Sequence, residues 1–435
     1  MSGAVLALEI GWGTTLAIKT IVILAFVPLT ALILGYVFLL KMMSHMQSRL
    51  GPMDPGGFHG WFQLVGDGMK FLQKEDIMPG QADKRVFALA PAIVVISTFL
   101  VFLVIPAGPD IIVKDLNVGV FYALAVSSLS VIGVLMAGWA SANKFSLLGA
   151  LRAAAQLIAY ELPLLLAVVG VVIQCGTMNL QGIVAFQSTG SIFGWDGIGF
   201  PLILTQFVGF FLFLIASQAE LTQTPFDMPV AESELVAGYM VEYTGFRFLF
   251  FFIGEFGTAF AFAAIAATLY LGGWALPASW GISLGVMRFL GPLVLFAKIM
   301  AVAFLMFWVR FTYPAIRGGR QVDDVELKFE NGKVVSATAR KNEDYLLSQL
   351  DLDPGARYLG EWAIGTNFGI QRFTGNILFD EKIGGTIHMA LGRGYPETGS
   401  HNESSIHWDM LCDMKTDSEI VVDGELFYKN GQFVI

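Results

Sequence analysis

The chain has 435 residues, 55% of them hydrophobic and 14% charged, where an ordinary water-soluble domain carries roughly a quarter charged residues. Its net charge of -9 is unevenly spread, because residues 1–320 hold 16 acidic and 16 basic side chains while residues 321–435 hold 19 and 10. A soluble globular protein is therefore excluded for most of the length, no basic surface calls for a nucleic acid, and a boundary falls near Gly318 to Gln321, dividing a neutral apolar body (1–320) from an acidic soluble segment (321–435).

A helix needs about 20 apolar residues to cross the hydrocarbon core, and seven stretches qualify: residues 15–40, 86–107, 118–140, 153–174, 200–216, 246–271 and 284–311. An all-α polytopic membrane protein follows, with a β-rich or α/β segment at its C-terminus. Glu9 precedes the first run without a basic n-region, so that run is expected to stay as an anchor. Lys41, Arg49, Lys70, Lys74, Lys84, Arg85, Lys144, Arg152, Arg247, Arg310, Arg317 and Arg320 fall on one side of the alternating loops, and the other side's loops show Lys114. By the positive-inside rule the N-terminus faces outward, while loops 41–85, 141–152 and 217–245 and the acidic tail face the cytoplasm.

Loop 41–85 opens with Gly51, Pro52, Pro55, Gly56 and Gly57 and then turns amphipathic. Gln63, Asp67, Lys70 and Lys74 form one helical stripe, and Phe62, Val65, Met69 and Leu72 another, as expected for a helix lying in the membrane interface. The two cysteines, Cys175 and Cys412, have no ligand-like spacing, and no glycine-rich nucleotide loop stands out. Neither an iron–sulfur cluster nor a flavin of the chain's own is expected.

Residues 220–243 carry Glu220, Asp227, Glu232, Glu234 and Glu242 and no Lys or Arg, on the side where the other loops are basic. A helix from Ala231 onward would place Glu234, Gly238 and Glu242 on one face, with space for water beside Gly238. Clustered carboxylates raise one another's proton affinity and can pass protons near neutral pH. Glu161, Glu255 and Lys298 lie inside apolar spans, where an ionisable group is costly and marks either an ion route or a structural pair.

At these residues the body resembles the H-subunit family of the proton-pumping NADH:quinone oxidoreductase, complex I. The elements in register are Ala219-Glu220, Pro225-Phe226-Asp227, Glu232, Glu234-Leu235-Val236, Gly238-Tyr239 and Glu242-Tyr243. Further matches are residues 144–161, Asp67-Gly68-Met69-Lys70, Lys74-Glu75-Asp76, Ala82-Asp83-Lys84 and Trp308 through Pro314, so that residues 15–317 are covered. The resemblance implies a multi-pass component of a bacterial inner membrane that lines part of a quinone cavity, with ubiquinone or menaquinone as substrate, and forms the first proton route. It implies Glu161, Glu220, Asp227, Glu232, Glu234 and Glu242 as proton-handling residues and Arg49, Asp67 and Lys70 as cavity residues. Its expected neighbours are other membrane-arm subunits and peripheral-arm subunits, including an iron–sulfur subunit beside the quinone. A hydrogenase or formate-hydrogenlyase type of membrane arm is the alternative. Four departures stand out: Gln223 where the family has a basic residue, Val230 where it has an acid, Leu39-Leu40-Lys41 for Glu-Arg-Lys, and residues 51–57 in place of the usual Gly-Pro-Asn-Arg-Val-Gly-Pro run.

Beyond residue 321 short strands are expected at 325–329, 333–339 and 419–422, with turns at Asn331-Gly332, Asp423-Gly424 and Asn430-Gly431. His407 and Asp409, two apart on a strand, would share a face. With Glu361 and His388 they make a mixed nitrogen and oxygen set appropriate for zinc, cobalt or manganese. The runs 360–367, 376–388, 395–399 and 402–409 are similar to the C-terminal part of the thermophilic-type metallo-aminopeptidases. That resemblance implies those four residues as metal ligands, with Tyr395 beside them. The peptidase's N-terminal part and one carboxylate ligand have no counterpart, so the tail reads as a remnant without hydrolysis; a membrane-tethered peptidase and a joining of two reading frames near Gln321 are the rival readings.

Overall fold

The computed structural model describes residues 12–191, 199–231, 235–312, 322–370, 372–373, 380–394 and 399–434. Expectations for Glu9, Glu232, Glu234, Arg317, Arg320 and Tyr395 lie outside the described residues.

The body is helical throughout. Among the described residues six helical segments are long and apolar enough to cross a membrane: Thr14–Met46, Lys84–Val104, Gly119–Ala140, Lys144–Cys175, Gly245–Tyr270 and Leu284–Thr312. The seventh expected span is shorter than the sequence suggests. Its N-terminal half is a single 3-10 turn, Leu202–Leu204, and the helix proper is the 14-residue Phe207–Glu220.

In chain order the helices are α1 (Trp12–Leu34), which runs on through a π-helical stretch, Gly35–Met42, into α2 (Met43–Met46); the amphipathic α3 (Gln63–Gln73); α4 (Lys84–Val101); α5 (Gly119–Ser127); α6 (Leu129–Ala140); α7 (Lys144–Cys175); α8 (Leu180–Thr189); α9 (Phe207–Glu220); α10 (Gly245–Tyr270); and α11 (Leu284–Thr312). Helix α10 is the axis of the bundle, buried from Phe256 to Tyr270 except at Thr258. Its small residues let neighbours approach closely: a Cβ on Gly254 would lie 2.8 Å from Val94 of α4, and one on Gly257 2.8 Å from Thr98. Such close approach is how helices gain packing energy in lipid, where burial in a neighbour gives no hydrophobic gain. Pro28, Pro91, Pro163 and Pro292 sit inside helices, as neighbouring helices permit in membranes.

Helix α3 bears out the amphipathic reading. Phe71 stacks on Phe248 of α10 at 5.6 Å and Leu64 meets Gly35, while Phe62, Val65, Met69 and Leu72 stay exposed as an apolar stripe. An exposed stripe of this kind suits the lipid interface.

Among its described residues the tail forms three antiparallel sheets, with the helix α12 (Glu343–Leu350) packed beside them. Strands β1 (Asp323–Glu330) and β2 (Lys333–Lys341) make a hairpin; β3 (Leu359–Ile364), β4 (Thr386–Gly392) and β5 (His407–Asp413) make the central sheet; β6 (Glu419–Val422), β7 (Glu425–Lys429) and β8 (Gln432–Phe433) make a meander. All three expected turns are present as two-residue connections with positive φ at both positions, from 48° at Asn430 to 88° at Gly424. Asn-Gly and Asp-Gly tolerate that geometry, which matches the strand twist. One face of the central sheet carries Leu391, Trp408 and Met410 into a small core with Leu346 and Leu350 of α12.

The tail also rests on the body. Ile370 and Ile383 are buried in the same apolar cluster that Met42, Met43 and Met46 pack against, and Asn367 Nδ2 donates to the Gln47 carbonyl.

Candidate functional site

The acidic loop begins at the end of α9 and is fixed by amides rather than by charges. Gln156 of α7, 3% exposed, donates from Nε2 to the carbonyls of Ala219 at 2.8 Å and Phe226 at 2.7 Å, drawing both ends of the turn together. Gln218 donates to the Thr224 carbonyl at 3.0 Å. The Asp227 carbonyl accepts from Val230 at 3.0 Å and Ala231 at 2.8 Å, closing the next turn. The ring of Phe226 lies 5.2 Å from that of Tyr160.

Among the described residues the expected helix does not run on to Glu242: Leu235 N still donates to the Ala231 carbonyl at 2.8 Å, and the helix ends there. Val236 (φ 66°) and Gly238 (φ 54°) reverse the chain, and only a 3-10 turn, Gly238–Met240, follows. A Cβ on Gly238 would fall 1.8 Å from the Pro229 carbonyl oxygen. The missing side chain thus admits backbone, not water, and Gly238 and Glu242 do not share a helical face. Glu242 instead accepts from Asn143 Nδ2 at 2.6 Å, while Asn143 Oδ1 caps α7 through Phe145 N at 2.8 Å. This pair borders a cleft of about 430 Å³ lined by Pro79, Gln81, Ser141, Lys144 and Phe145.

Glu161 of α7 is half-buried and accepts from Ser128 Oγ. Glu220 lies within electrostatic reach of it. Glu255 of α10 accepts at one oxygen from both Gln223 Nε2 (2.9 Å) and Arg310 Nη1 (3.0 Å). The Arg310 guanidinium also lies 5.5 Å from the Phe256 ring and 5.6 Å from that of Phe307. Burial pushes the Tyr239 hydroxyl above its ordinary value, Glu255 adds to the rise, and a hydrogen bond with Thr222 opposes it. Lys298 takes the structural alternative, donating to the carbonyls of Gly273 (2.7 Å) and Ala275 (3.3 Å) beyond the end of α10.

The expected cavity residues do not converge on these acids through any contact among the described residues. Arg49 is exposed and bonds to Gln47 at 2.7 Å. Asp67 accepts from Gln63 at 3.0 Å and lies 3.7 Å from the exposed Lys70. Sequence reasoning missed Gln156, Gln218 and Asn143. A glutamine inside an apolar span was the available signal, since a buried amide is retained only where partners meet it.

In the tail, the register pairs Glu361 with Ala390 and Ala390 with Asp409. Glu361, His388, His407 and Asp409 therefore project from the face opposite Trp408 and Met410. His407 Nε2 lies 3.7 Å from Glu361 and 3.6 Å from Asp409, and His388 Nε2 lies 3.4 Å from Glu361. His407 Nδ1 sits 2.7 Å from the Arg393 carbonyl, an acceptor that fixes the proton there and turns Nε2 toward the cluster. Ligand atoms of Glu361, His407 and Asp409 fall within 4.8 Å of one another, so this donor set fits a divalent zinc, cobalt or manganese ion. Burial raises the Asp409 carboxyl, His407 and His388 pull it down, and Glu381 and Glu361 push it up, with a net rise.

Comparison with known proteins gives two family matches. Residues 18–324 match the family model for NADH dehydrogenase, and residues 308–433 match that for thermophilic metalloprotease (M29). The H subunit of the NADH-quinone oxidoreductase of Bacillus thuringiensis subsp. konkukian (strain 97-27) is 44% identical over 302 residues, which is 69% of this chain and 86% of that protein. The corresponding H subunits of Bacillus cereus (strain AH187) and Bacillus anthracis (strain CDC 684 / NRRL 3495) are 43% identical over the same shares.

Proposed function

Because the chain belongs to the NADH dehydrogenase family, we propose that its body (1–320) is the multi-pass membrane component that couples quinone reduction to proton movement in a proton-translocating NADH:quinone oxidoreductase. Reduction of a quinone takes two electrons, here from an iron–sulfur neighbour in the peripheral arm, and two protons. Glu220, Asp227, Glu232, Glu234 and Glu242 respond to the charge developing on the reduced quinone, and Glu161 passes protons toward the next membrane subunit. Arg49, Asp67 and Lys70 contribute to the cavity wall. The observation that carries this reading is the Gln156 clamp, which ties the loop bearing Glu220 and Asp227 to α7, the helix that bears Glu161. Neutral isosteres Asp227→Asn and Glu234→Gln should each lower quinone reductase activity or proton uptake by roughly tenfold, a loss of about 1.4 kcal/mol of coupling; unchanged rates in an assembled complex would sink the assignment.

The tail (321–435) rests on the end of the first span, and we infer from this that it shares the side of the basic loop 41–85 and, by the positive-inside rule, faces the cytoplasm. Glu361, His388, His407 and Asp409 would hold a divalent ion, which supplies Lewis-acid polarisation when bound. One carboxylate ligand of the peptidase family has no counterpart among these residues, so metal binding without peptide hydrolysis is the expected behaviour. Metal analysis of the purified chain should find about one ion, lost in Glu361→Gln; turnover of an aminopeptide substrate would favour the membrane-tethered peptidase instead.

A further inference from the structure

The acidic loop contains a set of groups that the proton reading above does not use. Gln156, Gln218 and Gln223 are 3%, 3% and 2% exposed. Each spends its Nε2 on a group that can only accept: the Ala219 and Phe226 carbonyls, the Thr224 carbonyl and the Glu255 carboxylate. Amide nitrogen and oxygen are exchangeable on paper, but here the partners fix them, because turning any of the three would aim an oxygen at an oxygen. In all three the remaining Oε1 is fully buried, and no donor meets it among the described residues. One such orphan is ordinary. Three around residues 218–226 of one loop form a pattern, since buried polar atoms are nearly always paired with protein or with water.

The geometry also gives the set a direction. Gln218 stands two residues before Glu220, which lies within electrostatic reach of Glu161. Gln223 stands against Glu255, whose carboxylate is held by Arg310. Gln156, from α7, bridges the stretch between them. We propose that Gln156, Gln218 and Gln223 hold ordered internal water that joins the Glu161 and Glu220 side of the loop to the Glu255 and Arg310 side. Water is the fitting ligand because it donates to a neutral carbonyl oxygen and keeps a second proton for its neighbour. The glutamines act as positioning residues: they neither gain nor lose a proton.

This inference rests on the proton reading, and the test separates the two. Cryo-electron microscopy of the intact complex, at a resolution that shows ordered water, should place density within hydrogen-bond distance of each Oε1. Gln218→Leu and Gln223→Leu should lower proton translocation per quinone reduced roughly tenfold, the rate equivalent of one missing link, and change the solvent hydrogen isotope effect. Gln223→Asn, which keeps both an amide donor for Glu255 and an acceptor for water, should restore part of the yield. Three dry oxygens, a protein donor at each, or a cation in place of water would overturn the proposal even if Asp227→Asn is inactive. Water that is present while the leucine variants keep the yield and the isotope effect of the parent would overturn it as well. Where a leucine variant fails to assemble, the density in the unsubstituted complex decides.

Discussion

Asp353 shows how much one carboxylate organises in the tail. It accepts from Gly355 N at 2.9 Å, Ser404 Oγ at 3.0 Å, Ser405 N at 2.6 Å and Ser405 Oγ. Burial alone would raise its proton affinity, but the bonds from Ser405, Ser404 and Gly355 outweigh it and hold the carboxyl below its ordinary range. A folded-state value below the unfolded one, about 3.9, contributes stability above that pH and loses it as pH falls through the folded value. Hydrogen exchange at residues 404–407 should therefore accelerate as pH falls below about 4, once intrinsic exchange rates are divided out. Asp353→Asn should cost roughly 1–3 kcal/mol at neutral pH, with a difference from the parent that shrinks in acid. Because Ser405 leads into His407, the same variant should weaken metal binding. A pH-independent difference would mean that the serines, not the charge, hold this corner.

At the scale of elements, the acidic loop depends on backbone geometry that its side chains conceal. Gly238→Ala would force a Cβ to within 1.8 Å of the Pro229 carbonyl at a φ of 54°; thermal unfolding in detergent should report a loss above about 2 kcal/mol. Gly176 caps α7 at φ 67° with open space around it, so Gly176→Ala should cost only about 1 kcal/mol. Equal effects would show that packing at Gly238 is unimportant. The contrast explains what is legible in the sequence. Apolar runs, the amphipathic stripe of α3 and the Asn-Gly turns are local patterns, and each can be read residue by residue. The alternation of His407 and Asp409 on β5 is readable for the same reason. The break at Val236 is not, because a β-branched residue at positive φ is imposed by contacts from elsewhere. The shortening of α9 is hidden as well, since an apolar run fits a 3-10 turn as readily as a helix. Gln156 lies 63 residues from the Ala219 carbonyl it meets, a pairing that no local spacing announces.

At the scale of the whole molecule, body and tail meet through a small surface. Ile383 is fully buried and Ile370 nearly so, in the apolar cluster that Met42, Met43 and Met46 also pack against. Ile383→Asp would bury an unpaired charge; limited proteolysis should then release the tail faster by roughly tenfold or more, while the helical body keeps its melting temperature. No change in cleavage would mean that the contact contributes nothing to holding the tail. Among the described residues, tail and body meet here through isoleucines and methionines, a contact that should survive high salt.

The bond from Asn367 to the Gln47 carbonyl joins residues 320 positions apart. At a synthesis rate of about 5–20 residues per second, Gln47 leaves the ribosome roughly half a minute or so before Asn367 can reach it. Every span between them has been made by then. The contact is thus a closing event in biogenesis, formed only after every span has been made, and a product truncated before Asn367 would leave the end of its first helix uncovered for quality control to find.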